Sequence, residues 1–281
     1  MAEKIKNCFM EIYRAVKYGR VIALGIMSAA LGFVPESMFT ICRTNQSIPE
    51  YGYILIGRII LCTAIFIIIT GRSFVQLKRR EEVILEGRDY IIVVEYGDII
   101  NDYRGKRLIT FDECFTTKVG IKPQDINPNS ICGQYLKTHP IEDMKKLISI
   151  AGITPASGKS RFKDQVRYEP GTILLENKDL LTAFAKLDEN GKGYLMYDEY
   201  LSCLNKLWNE IFNYYGQEDV YIPILGAGTT FFPDASFTQQ ELLDILIQSY
   251  KLSKYKLKKP YKLHIVCRRD DVSLNEIEGV K

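Results

Sequence analysis

Residues 54–70 carry a single charge, Arg58, in a chain of 281 residues. Few places hold so apolar a run: a large buried core, a secretory leader, or a bilayer, which a helix crosses with about 20 mostly apolar residues. With residues 51–53 added, the run nears that length. A shorter apolar run, residues 21–34, precedes it, broken only by Ser28 and bounded by Arg20 on one side and Pro35 and Glu36 on the other. It reaches spanning length by continuing past Pro35 through Met38, Phe39 and Ile41. Arg58 does not forbid insertion. A central arginine costs roughly 2.5–3.5 kcal/mol, whereas each Ile, Leu or Phe returns about 0.3–0.6. Ile54, Leu55, Ile56, Ile59, Ile60, Leu61, Ile65, Phe66, Ile67, Ile68 and Ile69 together return about 5 kcal/mol on that scale. The guanidinium can snorkel to an interface, or face another helix or a pore.

The flanks set an orientation. Lys4, Lys6, Arg14, Lys17 and Arg20 precede the first run, and Arg72, Lys78, Arg79 and Arg80 follow the second. Between the runs Arg43 stands against Glu36 and Glu50. The positive-inside rule then puts both termini in the cytoplasm and the connection outside. A signal peptide cleaved near residues 28–30 and a pair of buried helices in a soluble protein compete with this reading. The late start of the first run, and the second run directly behind it, favour a membrane hairpin. Its spans are expected at about 21–42 and 51–70, inside an N-terminal segment 1–80.

From about residue 81 the pattern is that of a soluble α/β domain, 81–281. Residues 90–96 read as a buried strand ending at Gly97 and Asp98, and 107–111 as the next strand. Pro140 suits the first turn of a helix whose apolar face is Ile141, Met144, Leu147, Ile148 and Ile150. Residues 171–175 have strand character, and 181–187 fit strand or helix equally. Apolar and aromatic residues recur at helical period over 197–215. A final strand is expected at 262–267. The alternation predicts a mixed, largely parallel sheet flanked by helices.

Residues 220–232 (VYIPILGAGTTFF) join a short apolar strand to a glycine loop. Gly226 and Gly228 permit positive φ and close approach of the backbone to a ligand. Thr229 and Thr230 add hydroxyls, and successive loop amides form an anion-binding nest. Thr238 opens the next helix, to about Leu252, with Glu241 completing a capping box. Strand, glycine loop and helix make a phosphate cradle, although a GxG pair alone is more often a tight turn. In such sheets ligands bind at the carboxyl ends of strands, where Gly97, Asp98 and residues 226–229 fall.

Composition excludes several classes. A net charge of +3, with no compact basic patch beyond residues 251–262, argues against nucleic acid. Seven scattered cysteines without a CxxC pair indicate reduced thiols, and two histidines, His139 and His264, make a zinc site or other metal unexpected. Residues 188–199 nearly fit a calcium-binding EF-hand loop, but Lys192 stands where an oxygen ligand belongs and no second loop exists. A glycine turn into the following helix is favoured. Cys114, beside Asp112 and Glu113, lacks a cationic neighbour that would activate its thiol. Lys159, Arg161 and Lys163 are either a solvated loop or contacts to phosphate or anionic lipid.

Gly97, Asp98 and Ile99 after an early strand, and residues 222–229 after a late one, with the long helix directly before the glycine loop, together resemble a macro domain. That family binds ADP-ribose and related nucleotides. The resemblance implies that Asp98, between Gly97 and Ile99, accepts from the adenine amino group. It implies that the loop of Gly226, Ala227, Gly228, Thr229 and Thr230 holds the diphosphate, and that Phe231 or Phe232 lies near the distal ribose. Residues 130–135, with Cys132 and Gly133, would form the other phosphate loop. Hydrolytic members carry an Asn-Ala-Ala-Asn loop where residues 110–116 read TFDECFT, so the resemblance implies binding without catalysis and no catalytic residue. Two membrane helices followed by such a domain are similar to the effector of type II Thoeris anti-phage defence. For that family a TIR-domain partner makes a histidine-linked ADP-ribose from NAD. The effector binds it as ligand, forms a homo-oligomer and disrupts the bacterial inner membrane, its lipid partner. A membrane-anchored ADP-ribosyl hydrolase is the alternative.

Overall fold

The computed structural model describes residues 2–40, 49–101, 103–122 and 124–277. The chain divides into two compact units, Met1–Arg80 and Glu81–Lys281.

The first unit holds helices α1 (Ala2–Phe33), α2 (Ser37–Thr40) and α3 (Glu50–Lys78). α1 and α3 pack side by side in opposite directions. Ala15 and Ala23 are buried on the contact stripe of α1. At Gly19 between them, a Cβ would stand 3.1 Å from Ser73 Oγ and 3.3 Å from Ile69 Cγ2. One small residue per turn lets two helix backbones approach this closely. The return is pinned by Phe39 pressed onto Gly57, where a Cβ would lie 2.4 Å from the ring, and by Arg58 Nη2 donating to Glu36 Oε1 at 2.8 Å. Val21, Leu24, Phe33, Ile60, Ile67 and Ile68 point outward, exposed. Residues Tyr51–Lys78 are long and apolar enough to cross a bilayer, and α1 contributes the shorter apolar stretch Gly19–Phe33.

The expected span 21–42 is not one helix. α1 stops at Phe33 because Pro35 supplies no N–H and disfavours helical geometry at Val34. The chain re-enters a helix at Ser37, and Ile41 and Cys42 lie outside the described residues. The second helix runs to Lys78 rather than ending near residue 70.

The second unit runs β1 (Glu82–Glu86), β2 (Ile91–Tyr96), β3 (Lys106–Asp112), α4 (Ile131–Thr138), α5 (Met144–Ile150), β4 (Ile173–Glu176), β5 (Asp179–Leu187), β6 (Gly193–Tyr194), α6 (Tyr197–Tyr214), β7 (Val220–Pro223), α7 (Gln239–Leu252) and β8 (Leu263–Cys267). The sheet order is β1-β2-β8-β7-β3-β5-β4, with β6 paired to β5. The five inner strands are parallel, and β1 and β4 close the edges antiparallel. Nearly every residue of β5 is buried, as a central parallel strand requires. That settles residues 181–187 as strand. β1, absent from the sequence reading, alternates buried Val83 and Leu85 with exposed Glu82, Ile84 and Glu86.

α6 and α7 cover one face. α6 buries Tyr200, Cys203, Leu204, Leu207, Trp208 and Ile211, which share one side of the helix. α4 and α5 cover the other face over β3 and β5. Pro140 does not start a helix as expected: α5 begins after Asp143, whose side chain caps Lys146 N at 3.0 Å. Over β7 and β8, this second face carries Ile99 of the β2–β3 connection, packed on Tyr221 and Val266, with Ile100, Tyr103 and Ile131 at the start of α4 beside it.

Candidate functional site

All five parallel strands deliver their chain to one edge of the sheet. From β3 the connections move outward to β5, and from β7 they move the opposite way to β8. Neighbours β7 and β3 therefore form a switch point, where open α/β sheets leave a crevice for ligands.

The glycine loop leaves β7 at that point. Tyr200 of α6 donates its hydroxyl to Leu225 O at 3.0 Å, and the buried Phe232 packs edge-on against the same tyrosine at 5.4 Å. The loop between these anchors turns at Gly226, whose φ is +86° and whose Cβ, if present, would meet the Phe232 ring at 2.9 Å. Only glycine satisfies both demands. Gly228, expected to use positive φ as well, does not, and a Cβ there would meet nothing within 4 Å. Ala227 N donates to Ile224 O at 3.4 Å, whereas among the described residues the amides of Gly228, Thr229 and Thr230 donate to no protein acceptor. Open amides on a firmly anchored loop are what an anion needs. α7 starts beyond it, with Thr238 accepting from Glu241 N at 3.2 Å and Glu241 Oε2 accepting from Thr238 N at 2.8 Å.

At the end of β2, Asp98 is exposed and turned onto its own loop. Its Oδ1 accepts from Ile100 N at 2.9 Å, and its Oδ2 accepts from Asn101 Nδ2 at 2.8 Å. Ile99 is core. A cavity of about 550 Å3 opens beside Gly97, lined by Glu95, Tyr96, Gly97, Asn101, Tyr103, Arg104, Tyr221 and Val266. The glycine loop is not among its walls. Thus Gly97 lies on an open depression, while residues 226–231 border the switch point.

Sequence reading missed what holds the Asp98 loop. Arg107, an arginine inside an otherwise apolar strand, is 1% exposed. Its Nε pairs with Asp179 Oδ1 at 2.6 Å, its Nη1 donates to Ile100 O at 2.9 Å, and its guanidinium lies 4.2 Å from the Tyr103 ring centre. Removing one member of a buried pair like this costs about 3–5 kcal/mol. Glu95 and His264 were missed too. His264 Nδ1 lies 2.9 Å from Glu95 Oε1, and its ring stacks on Tyr221 at 4.2 Å.

Two expected ligand residues belong to the framework. Residues 130–135 are not a loop: Ser130 caps α4 by accepting from Gly133 N at 3.1 Å. Cys132 is buried, and a Cβ at Gly133 would lie 2.2 Å from Asn127 O, so that glycine admits backbone rather than ligand. Of the two phenylalanines, Phe232 is core and Phe231 is exposed at the loop's exit, paired with Tyr194.

Burial pushes the thiols of Cys114, Cys203 and Cys267 up to about 12, and Cys132 well above its ordinary value. Glu113 accepts from Ser160 Oγ at 2.6 Å and Leu187 N at 3.1 Å, a structural role. In the EF-hand-like stretch, Asp188 Oδ1 accepts from the amides of Asn190 and Lys192, both at 2.8 Å. No cluster of three metal-ligating side chains occurs among the described residues.

The sheet, its switch point and the glycine loop invite comparison with known proteins. The family described as "Thoeris protein ThsA, Macro domain" matches residues 92–268. The chain belongs to that family. Its match begins in β2 and runs through β8, so it contains the Asp98 loop, the glycine loop and all five parallel strands. "Thoeris protein ThsA" of Bacillus amyloliquefaciens (strain Y2) is 28% identical over 227 residues, covering 76% of this chain and 74% of the relative.

Proposed function

We propose that this chain is a membrane-anchored effector of Thoeris anti-phage defence that binds an ADP-ribose derivative without turning it over. The observation that carries the reading is the anchored glycine loop at the switch point, with three amides open to an anion. The diphosphate lies along Gly226–Thr230, and the adenine lies on the Asp98 side. There the Asp98 carboxylate is the acceptor that the resemblance assigns to the adenine amino group. The ligand is of the histidine-ADP-ribose type and comes from a TIR-domain enzyme. Its capture favours an associating state of the protein, and a ligand shifts such an equilibrium only by its differential affinity for the two states. Association of the α1–α3 hairpins, inserted in the inner membrane with both termini in the cytoplasm, then disrupts the bilayer. The exposed apolar faces of those helices and their cationic flanks support that part.

Hydrolysis is disfavoured by the raised thiols and by the structural use of Glu113. Calorimetry on the full chain in detergent tests the binding. ADP-ribose should bind stoichiometrically, and chromatography should recover it intact. Released product would establish a hydrolase, and an absence of any binding heat would remove the proposal. Mass spectrometry of small molecules retained after expression beside a TIR enzyme identifies the natural ligand.

A further inference from the structure

Residues 157–167 fold back on themselves beside the glycine loop. Lys159 pairs with Val166, and the reversal uses left-handed backbone at Lys163 and Asp164, φ +56° and +49°. The underside of this hairpin is fastened down. Ser160 is buried on Glu113, Phe162 is buried against Gly191, where a Cβ would meet it at 3.1 Å, and Arg167 reaches Glu113 at 3.6 Å and donates to Ser157 O at 2.7 Å. Glu113 follows β3 and also holds Leu187 N at the end of β5. The hairpin is thus mounted on the ligand edge of the sheet.

Its upper side carries Lys159, Arg161 and Lys163, all exposed. Among the described residues none of the three has a carboxylate within 4.0 Å. Asp164 is the one acidic residue within the turn, and Glu199 on the adjoining α6 pairs with Lys186 at 2.6 Å while also feeling the Arg161 charge, which helps hold its carboxyl below the usual value. The Arg161 guanidinium lies over the Tyr194 ring at 5.9 Å. Tyr194 pairs with Phe231, whose amide donates to Gly193 O and whose carbonyl accepts from Leu195 N, each at 3.0 Å. Arg161 therefore stands one side chain away from the residue that ends the glycine loop.

We propose that this hairpin is a second anion subsite. On the reading of the crevice given above, the ligand then carries a further acidic group beyond the diphosphate, at its distal end. A guanidinium matches a carboxylate or phosphate in two parallel hydrogen bonds, and cations fixed on a rigid platform lose little freedom on binding. Lys159 and Lys163 add attraction that falls as salt rises.

The test is calorimetry on the full chain in detergent with three compounds: ADP-ribose, its distal carboxylate ADP-ribonate, and ADP-ribose 1″-phosphate. The wild type should bind at least one acidic compound about tenfold more tightly than ADP-ribose, and which one shows whether the group is carboxylate or phosphate. Arg161→Gln, and the triple change Lys159→Gln, Arg161→Gln, Lys163→Gln, should bring the compounds within about twofold of each other, with ADP-ribose binding unchanged. Equal binding by the wild type overturns the subsite alone, as does a preference that survives the triple change. Binding of none of the three overturns the crevice reading and the subsite together. If the triple change instead abolishes sedimentation with phosphatidylglycerol vesicles and leaves the preference intact, the hairpin is a lipid contact and the proposal falls.

Discussion

Three of the parallel strands end on an aspartate that binds its own backbone, and one ends on glycines that bind nothing. After β2, Asp98 accepts from Ile100 N; at the end of β3, Asp112 accepts from Cys114 N at 2.8 Å and Thr116 N at 3.2 Å; after β5, Asp188 accepts from Asn190 N and Lys192 N. Each carboxylate closes a turn by taking amides a few residues on. β7 alone leaves through Gly226 and Gly228, and among the described residues the amides of Gly228, Thr229 and Thr230 donate to no protein acceptor. The difference separates structural exits from a receptive one: a turn that has satisfied its donors has none left for a ligand. It also bears on Asp188 and Gly191, similar in sequence to a cation site, where Asp188 Oδ1 is taken by two amides of its own turn.

The largest expected effect comes from filling Gly226. Gly226→Val forces a branched side chain into φ +86° and against Phe232. The expected loss is about 2 kcal/mol or more, seen as a drop in melting temperature of about 4–8 °C, with ligand binding abolished. Gly228→Ala is the sharper probe, because the added methyl meets no protein atom. Stability should stay within about 0.5 kcal/mol, while ADP-ribose affinity falls about tenfold if the diphosphate rests on that backbone. Unchanged affinity for Gly228→Ala would place the anion elsewhere and break the contrast between β7 and the other exits.

Asp98 and Asp188 divide the closed exits into two kinds. Asp98→Ala should weaken ADP-ribose binding by about 1.5–3 kcal/mol, the worth of a hydrogen bond to a charged group, with a smaller effect on stability. Asp188→Ala should do the reverse, lowering stability by about 1 kcal/mol for the loss of its two amides and leaving affinity alone. Millimolar calcium should not shift the melting temperature of either variant or of the wild type. A calcium-induced rise that disappears in Asp188→Ala would restore the cation reading.

Local signals were legible in the sequence. The Thr238 and Glu241 capping box, the helical period of α6 and the apolar strand before Gly226 each depend on residues a few positions apart. What escaped depends on partners far along the chain. Arg107 reads as an anomaly in a strand until Asp179 and the Ile100 carbonyl, brought in from either side, give it a purpose. Gly133 was assigned to a ligand from the resemblance, but the group that comes close to it is Asn127 O. The helix break at Pro35 was visible as a proline, yet periodicity alone does not say whether such a residue kinks a helix or ends it. Asp98 was assigned to a ligand from a resemblance, and no sequence pattern reveals that its carboxylate also closes its own turn.

The smallest effect is expected at Asp112, and its sign can be worked out. Asp112 is half-buried, and the desolvation it suffers raises its pKa above the ordinary aspartate value, although the amides of Thr116 and Cys114 pull the other way. A carboxyl with a raised folded pKa binds more protons in the native than in the unfolded state. Its contribution to stability is therefore fully present below the unfolded pKa, about 3.9, and is lost as pH rises through the folded value. Asp112→Asn keeps an oxygen for both amides and removes the titration. The variant should gain on the wild type as pH rises out of the acid range, and the gap should stay constant once Asp112 is ionised. Urea denaturation of both proteins across that range measures it. A gap that widens towards acid would mean that the two amides outweigh burial. Asp112 would then be a stabilising anion, and the end of β3 would itself be a place where the fold welcomes negative charge.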